Sequence, residues 1–146
     1  MTHLDTSFLV DLLREGARNV EGPAHRALDG VGDDELVVSV HVACELFAGA
    51  ELSADPSRER ERVAAFLRAV RVVHTTDRFA PLFGRTLAEL RRRGEAVSTR
   101  DLIIATAALL DGSPLMTRNA RHFDRIPGLL VVGYYKDADI NRDVQG

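Results

Sequence analysis

The chain has one cysteine, one lysine and no tryptophan among its 146 residues. Because the single cysteine, Cys44, cannot form an internal disulfide, the fold does not depend on an oxidising compartment, and we expect a cytoplasmic protein. The N-terminus has no basic segment followed by an apolar core, and no apolar run reaches the ~18 residues that cross a bilayer. The sequence therefore predicts neither an export signal nor a membrane span.

Motifs of several common functional sites are also missing. The chain has no glycine-rich phosphate loop and no G-x-S-x-G turn, so it gives no support to a nucleotide-triphosphate or serine-hydrolase function. Structural zinc needs four closely arranged ligands, and no second His/Cys pair accompanies His41 and Cys44. We therefore expect Cys44 to be a small buried side chain. The net charge of -3 argues against binding of nucleic acid through overall charge, but it leaves a nuclease open.

What is present is the composition of one globular domain, with 45% hydrophobic and 28% charged residues. We expect this domain to occupy residues 1–135, followed by a polar C-terminal tail over residues 136–146. Short apolar segments alternate with helical patterns, which is typical of a parallel β-sheet covered by helices on both faces. The predicted class is α/β with four to five strands, and ligands of such sheets bind beyond the carboxyl ends of the strands.

Local signals predict where the elements begin and end. Gly16, Gly94 and Gly112 are expected to end three of the helices. The predicted strands cover residues 2–5, 35–40, 70–73, 114–117 and 129–132. The predicted helices cover residues 6–16, 24–28, 41–52, 58–69, 77–93 and 98–110.

The helix that begins at Ser98 is apolar on almost every side, so it belongs in the middle of the protein. Asp101 lies in its first turn, and a buried carboxylate needs a partner. One interpretation is local, because Ser98-x-x-Asp101 fits a capping box in which the acidic side chain binds free backbone N–H groups. The other is that Asp101 belongs to a cluster of carboxylates that the fold brings together.

Two further acidic residues are predicted at the same edge of the sheet. Asp5 directly follows the first strand, and Glu45 lies a turn and a half past the second. Each has an ordinary explanation as a cap or as a solvated helix residue. Together, however, three carboxylates repel one another unless a cation neutralises them, and oxygen ligands alone favour Mg²⁺ or Mn²⁺. A site of this kind suits hydrolysis of phosphodiester bonds.

Four segments in this order and at this spacing resemble the PIN-domain ribonucleases, in particular the VapC-type toxins of toxin–antitoxin pairs. They are Leu4–Ser7, Ser39–Leu46, Asp101–Ala107 and Thr117–Leu129. The resemblance covers nearly the whole chain, from Leu4 to about Val132. It implies a three-layer α/β/α sandwich, an endoribonuclease that depends on Mg²⁺ or Mn²⁺, an RNA substrate, a cognate antitoxin partner and a homodimer.

The resemblance also assigns roles to individual residues. Asp5, Glu45 and Asp101 match the catalytic carboxylates that bind metal in the family. Candidates for the rim of the site are Thr6, Thr117, Asn119 and His122.

His122 departs from the family pattern, because many relatives have a fourth acidic residue at this place and Asp124 is only close by in sequence. We therefore predict weaker Mg²⁺ binding than in relatives with four carboxylates, or a preference for Mn²⁺. Arg118 and Arg121 are candidates for contacts to RNA phosphates.

Two other functions stay open. A receiver-like phosphoacceptor domain also gathers carboxylates and Mg²⁺, but it needs a lysine near the site, and this chain offers only Lys136, past the last predicted strand. A catalytically weak PIN-like domain could act by binding alone, given His122. Phe47, Phe66 and Leu67 are apolar residues that suit either a groove for an antitoxin helix or core packing.

Overall fold

A computed structural model describes residues 1–134, and this part of the chain forms one parallel sheet flanked by helices. The strands are β1 (Thr2–Leu4), β2 (Leu36–Ser39), β3 (Arg71–Val73), β4 (Leu115–Thr117) and β5 (Val131–Gly133). The helices are α1 (Thr6–Ala17), α2 (Pro23–Val31), α3 (Val40–Glu51), α4 (Pro56–Arg68), α5 (Phe79–Arg92), α6 (Thr99–Leu110) and α7 (Ala120–Phe123). The predicted tail at 136–146, Lys136 and residue 135 lie outside the described residues.

The five strands are parallel and lie in the order β3-β2-β1-β4-β5. All three residues of β1 are buried, as expected for a central strand covered on both faces. The predicted α/β class, the α/β/α layering and the sheet of four to five parallel strands are therefore confirmed. The order differs from the 2-1-3-4-5 order of receiver-type sheets, so the receiver-like alternative loses its structural basis.

The strand order reverses between β1 and β4. From β1 the chain builds β2 and β3 on one side, and then crosses over to build β4 and β5 on the other. The carboxyl ends of the two strands at such a reversal flank a crevice in which α/β proteins bind ligands. Leu4 pairs with Met116, so Asp5 and Thr117 both come directly after this pair.

Helix α6 is the buried helix that its composition predicts. Leu102, Ala105, Thr106 and Ala108 are each 0% exposed. The helix begins after the N-cap Ser98, and the chain turns away at Gly112, whose φ is 59°. Gly94 has a φ of 69° after α5, so both predicted glycine endings are confirmed.

Several predicted boundaries are wrong for identifiable reasons. Helix α1 continues through Gly16 to Ala17, because Asn19, with a φ of 52°, supplies the left-handed residue after the helix. Helix α2 is longer than the predicted 24–28. It starts at Pro23, and the Glu15 carboxylate accepts hydrogen bonds from the backbone N–H groups of Ala24 (2.9 Å) and His25 (3.1 Å). This cap comes from another helix, so the local sequence does not reveal it.

Two further corrections concern β5 and Cys44. Strand β5 is shifted from the predicted 129–132 to Val131–Gly133, and Thr117 pairs with Gly133. A Cβ at Gly133 would lie 3.0 Å from the Cβ of Ala120, so the glycine allows α7 to approach the strand. Cys44 is exposed, contrary to the prediction. Helix α3 buries Val42, Ala43, Leu46 and Ala50, and Cys44 falls outside that stripe.

Among the described residues, no helix is both long enough and apolar enough to span a bilayer.

Candidate active site

Asp5 is fully buried at the end of β1 and is held from three sides. Its backbone N–H donates to the Met116 carbonyl (2.9 Å), which keeps it beside β4. Its Oδ1 accepts from the Thr6 N–H (2.8 Å), and its Oδ2 accepts from the hydroxyls of Ser7 (2.9 Å) and Thr117 (2.8 Å). Asp5 is therefore fixed at the point where the strand order reverses.

Ser7 and Thr117 are positioned by backbone groups of the segment after β4. The Ser7 hydroxyl accepts from the Arg118 N–H (3.2 Å), and the Thr117 hydroxyl accepts from the Asn119 N–H (3.0 Å). Each hydroxyl thus accepts a backbone hydrogen and donates its own to Asp5. Both side chains are buried, so they act as rigid supports of the carboxylate.

Asp101 uses its backbone and its side chain for different purposes. Its backbone N–H donates to the Ser98 hydroxyl (3.1 Å), so Ser98 caps α6 as the capping-box interpretation requires. The Asp101 carboxylate contacts Arg100 (Oδ1 to Nη1, 2.7 Å) and lies 3.5 Å from Nδ1 of His122. Ser98 therefore supplies its half of the predicted capping box, whereas the Asp101 carboxylate contacts Arg100 and His122 instead of the backbone N–H groups of its own helix.

The Arg100 guanidinium lies among the carboxylates of all three predicted site residues. Its Nε donates to Glu45 Oε2 (2.8 Å), its Nη1 contacts Asp101, and its Nη2 is 3.5 Å from Asp5 Oδ1. The three carboxylates that the sequence predicts to be close together therefore do converge, and they converge on a guanidinium. Burial opposes the charge of Arg100, but the hydrogen bond to Glu45 and the charge of Asp5 outweigh it and raise the pKa of Arg100.

The predicted rim residues surround this cluster. The Thr6 hydroxyl oxygen is buried and has no hydrogen-bond partner in the part of the chain that the structure describes. Asn119 precedes α7 as its N-cap residue, and His122 extends from α7 toward Asp101 with a side chain that is 60% exposed. Asp124 is exposed at the end of α7.

The two predicted phosphate contacts differ in their surroundings. The Arg118 side chain donates to the buried carboxylate of Asp11 (2.9 Å), which also accepts from the Tyr134 hydroxyl (2.8 Å). Burial, together with the hydrogen bond to Asp11, raises the pKa of Tyr134. Arg118 is thus part of a structural network, whereas Arg121 is exposed on α7 beside His122.

A divalent metal ion fits the chemistry of the donor set but not the present side-chain positions. With Arg100 in place, no three His, Cys, Asp or Glu side chains among residues 1–134 form a group that could hold a metal ion. The carboxylates of Asp5, Glu45 and Asp101 nevertheless converge on one cation, and the free Thr6 hydroxyl lies next to Asp5 in sequence. Oxygen donors of this kind match the ligand preference of Mg²⁺ and Mn²⁺.

Two contributors were missed by the sequence analysis. Ser7 has no role of its own among the sequence-based predictions, although its hydroxyl holds Asp5. Arg100 was not considered at all. A signal for it exists, because a cation in the first turn of a helix is disfavoured by the helix dipole and therefore needs nearby negative charge.

Comparisons with known proteins agree with the resemblance to the PIN-domain ribonucleases. A family model described as "PIN domain" matches residues 3–129. A tRNA(fMet)-specific endonuclease VapC from Salmonella typhimurium is 33% identical over 75% of this chain and 83% of its own. Ribonuclease VapC2 from Haemophilus influenzae is 32% identical over 65% of this chain and 72% of its own. The crystal structure of DNA-bound VapBC from Salmonella typhimurium superposes with a TM-score of 0.79 and 29% identity, covering 90% of this chain and 96% of the other.

Proposed function

Because this chain belongs to the PIN domain family, we propose that it is a metal-dependent endoribonuclease that hydrolyses RNA phosphodiester bonds and acts as the toxin of a toxin–antitoxin pair. The observation that carries the proposal is the convergence of Asp5, Glu45 and Asp101 at the reversal of the strand order. Its relatives include proteins named as ribonucleases and as a tRNA-specific endonuclease.

In this proposal Asp5, Glu45 and Asp101 hold Mg²⁺ or Mn²⁺. When bound, such an ion activates water for attack on phosphorus and neutralises charge on the phosphate oxygens. The chain's own contribution is preorganisation. Ser7 and Thr117 hold the orientation of Asp5, and the buried helix α6 holds Asp101, while Glu45 is the most accessible of the three carboxylates.

RNA would approach the site over its polar rim. Asn119 and His122 offer hydrogen-bonding groups there, whereas the Thr6 hydroxyl is buried. The exposed Arg121 is suited to pair with a phosphate. Arg118 is less suited, because it would first have to leave Asp11. We expect single-stranded or looped RNA to be preferred, since unpaired bases expose edges that a protein can contact.

A groove beside the site supports binding of an antitoxin helix. It has a volume of about 370 Å³, lies between α1, α3 and α4, and reaches Glu45. Val10, Leu13, Leu46 and Val63 contribute apolar surface to it. Phe66 and Leu67 instead pack against the core, and Phe47 stays 38% exposed on α3. We also propose, from the family resemblance, a cytoplasmic homodimer with residues 1–135 as its single nuclease domain.

The decisive test is cleavage of single-stranded RNA by the purified protein with Mg²⁺ or Mn²⁺, compared with Asp5→Asn and Glu45→Gln variants. We expect cleavage that is abolished by a chelator and lost in both variants. Glu51→Gln is the matched control for Glu45→Gln, because Glu51 lies on the same helix and pairs with the exposed Arg60 (2.7 Å) instead of with Arg100.

Equal cleavage by the parent and the Asp5→Asn variant would show that the assigned site is wrong. Binding of RNA without cleavage at any Mn²⁺ concentration would instead favour the alternative of a catalytically weak binding domain.

A further inference from the structure

Arg100 places a positive charge among the three carboxylates that we propose as metal ligands, and the proposed nuclease activity does not account for it. Its guanidinium contacts three acidic side chains that lie 95, 55 and 1 residues away in sequence. It stands in the first turn of α6, where the helix dipole disfavours a cation. The negative charges of Asp5, Glu45 and Asp101 offset this unfavourable position.

We propose that Arg100 is an internal counter-cation that neutralises the acidic cluster when no metal is bound and is exchanged for the divalent ion. The inference rests on the proposed function, since it assumes that the same three carboxylates bind the metal. It adds that the metal affinity of the site is set by competition with a residue of this chain.

The exchange follows from the geometry of the donors. Arg100 takes one oxygen of each carboxylate, through Nε to Glu45, Nη1 to Asp101 and Nη2 to Asp5. An ion coordinated by all three carboxylates would need the position between them that the guanidinium fills, so the two cations compete for one place. Two cations in one cluster would also repel each other.

The side chain has a route out of the cluster. Arg100 is 43% exposed, while Asp5 is 0% and Asp101 9% exposed. The fold therefore holds the Asp5 and Asp101 carboxylates, whereas the side chains of Arg100 and Glu45 (34% exposed) lie at the open side of the cluster. An arginine that leaves by rotation of its long side chain does not require movement of α6.

The experiment compares Mn²⁺ binding by calorimetry to the parent protein and to an Arg100→Gln variant. Displacement of Arg100 opposes binding of the ion, and the partial exposure of its side chain limits this cost, so we expect Mn²⁺ to bind about tenfold tighter to Arg100→Gln. The metal-free variant should melt at a lower temperature than the parent, because its carboxylates repel one another, and Mn²⁺ should raise its melting temperature more.

Arg60→Gln is the matched control, because it removes one exposed guanidinium that pairs with a single carboxylate, Glu51. An equal gain in both variants would mean that general charge is responsible and would overturn the inference, as would equal Mn²⁺ affinity of the parent and Arg100→Gln. If the parent binds Mn²⁺ and Asp5→Asn does not, the proposed metal site stands whatever Arg100 does. If neither the parent nor Arg100→Gln binds Mn²⁺, both proposals fail.

A second measurement does not depend on the folding of a variant. The Nε–H resonance of Arg100 in the parent protein reports the hydrogen bond to Glu45. Addition of Mg²⁺ should move this resonance to the position of a solvent-exposed arginine. An Nε–H resonance that stays unchanged while Mg²⁺ binds would show that Arg100 is not displaced.

Discussion

An aspartate lies at each end of helix α6, and the negative charges of the two aspartates are balanced in different ways. At its C-terminal end, Asp111 pairs with the buried His3 of β1, with 2.6 Å between Oδ2 and Nε2. At its N-terminal end, Asp101 lies with Asp5, which follows β1, and with Glu45 from α3. The C-terminal end thus has one carboxylate beside one imidazole. The N-terminal end has three carboxylates, and Arg100 supplies the positive charge among them.

This difference separates a structural pair from a candidate catalytic cluster. One carboxylate beside one imidazole is satisfied locally and needs no further ligand. Three carboxylates at one place are unfavourable without positive charge, which is consistent with the cation-binding role that we propose for them. This separation can be tested by making the same substitution in the cluster and at a comparable position outside it.

The largest expected effect on RNA cleavage comes from replacing the aspartates at the two ends of α6, Asp101 and Asp111, with asparagine. Asp101→Asn should lower RNA cleavage by about 10²-fold or more, as does removal of one group that stabilises transition-state charge. Asp111→Asn should leave cleavage unchanged and lower the free energy of unfolding instead, because His3 loses a charged partner. Cleavage rates and urea unfolding of both variants measure this, and equal cleavage by both would remove the distinction between the ends.

The support of Asp5 is tested with two buried threonines. Thr117→Val removes a hydroxyl that donates to Asp5 Oδ2, and we expect cleavage to fall at least about tenfold, as for other groups that orient metal ligands. Thr106 is equally buried, but its hydroxyl donates to the Leu102 carbonyl within α6 (2.6 Å). Thr106→Val should change only the melting temperature. A similar loss of cleavage in both would mean that core packing, rather than the Asp5 contact, is responsible.

The contribution of the His3–Asp111 pair to the free energy of unfolding should depend on pH. Burial lowers the pKa of His3 below its ordinary value of 6.5, although Asp111 acts in the opposite direction. The unfolded chain then binds a proton more readily than the folded one, so stability falls as the pH drops below 6.5 toward the folded-state pKa. Relative to His3→Gln, the parent should lose at most about 1.4 kcal/mol per pH unit in urea unfolding between pH 7 and 5. A difference that does not vary with pH would contradict this.

The smallest expected effect is a change in Mg²⁺ affinity on substitution of the rim residue His122. His122→Asp adds a carboxylate beside Asp101 and should strengthen Mg²⁺ binding several-fold, since it increases the negative charge that holds the ion. His74→Asp, at an exposed position after β3, adds the same charge elsewhere. A calorimetric titration with Mg²⁺ that gives no gain for His122→Asp, or the same gain for both, would refute the role assigned to His122.

Much of the fold was predictable because its signals are local. Gly94 and Gly112 end helices in the left-handed conformation, and the apolar composition of α6 predicts its burial. The predictions failed where a distant residue decides. The start of α2 depends on Glu15 in another helix, and the exposure of Cys44 depends on which face of α3 packs on the core.

For the candidate site, the convergence of Asp5, Glu45 and Asp101 was predictable from their places after the strands and at a helix start. Their partners were not. Thr117 and Asp5 are 112 residues apart in sequence, and Arg100 and Asp5 are 95 apart, so no local pattern joins them.

By itself, the sequence determined the parallel α/β architecture and placed the carboxylates at the edge where the strands end, because apolar periodicity and helix caps act over a few residues. Only the tertiary structure decided that β1 and β4 adjoin where the strand order reverses. It also decided that Asp101 turns away from its own helix and that Arg100 supplies the positive charge. These outcomes depend on which distant groups share a buried space, where an unpaired charge is too costly to remain alone.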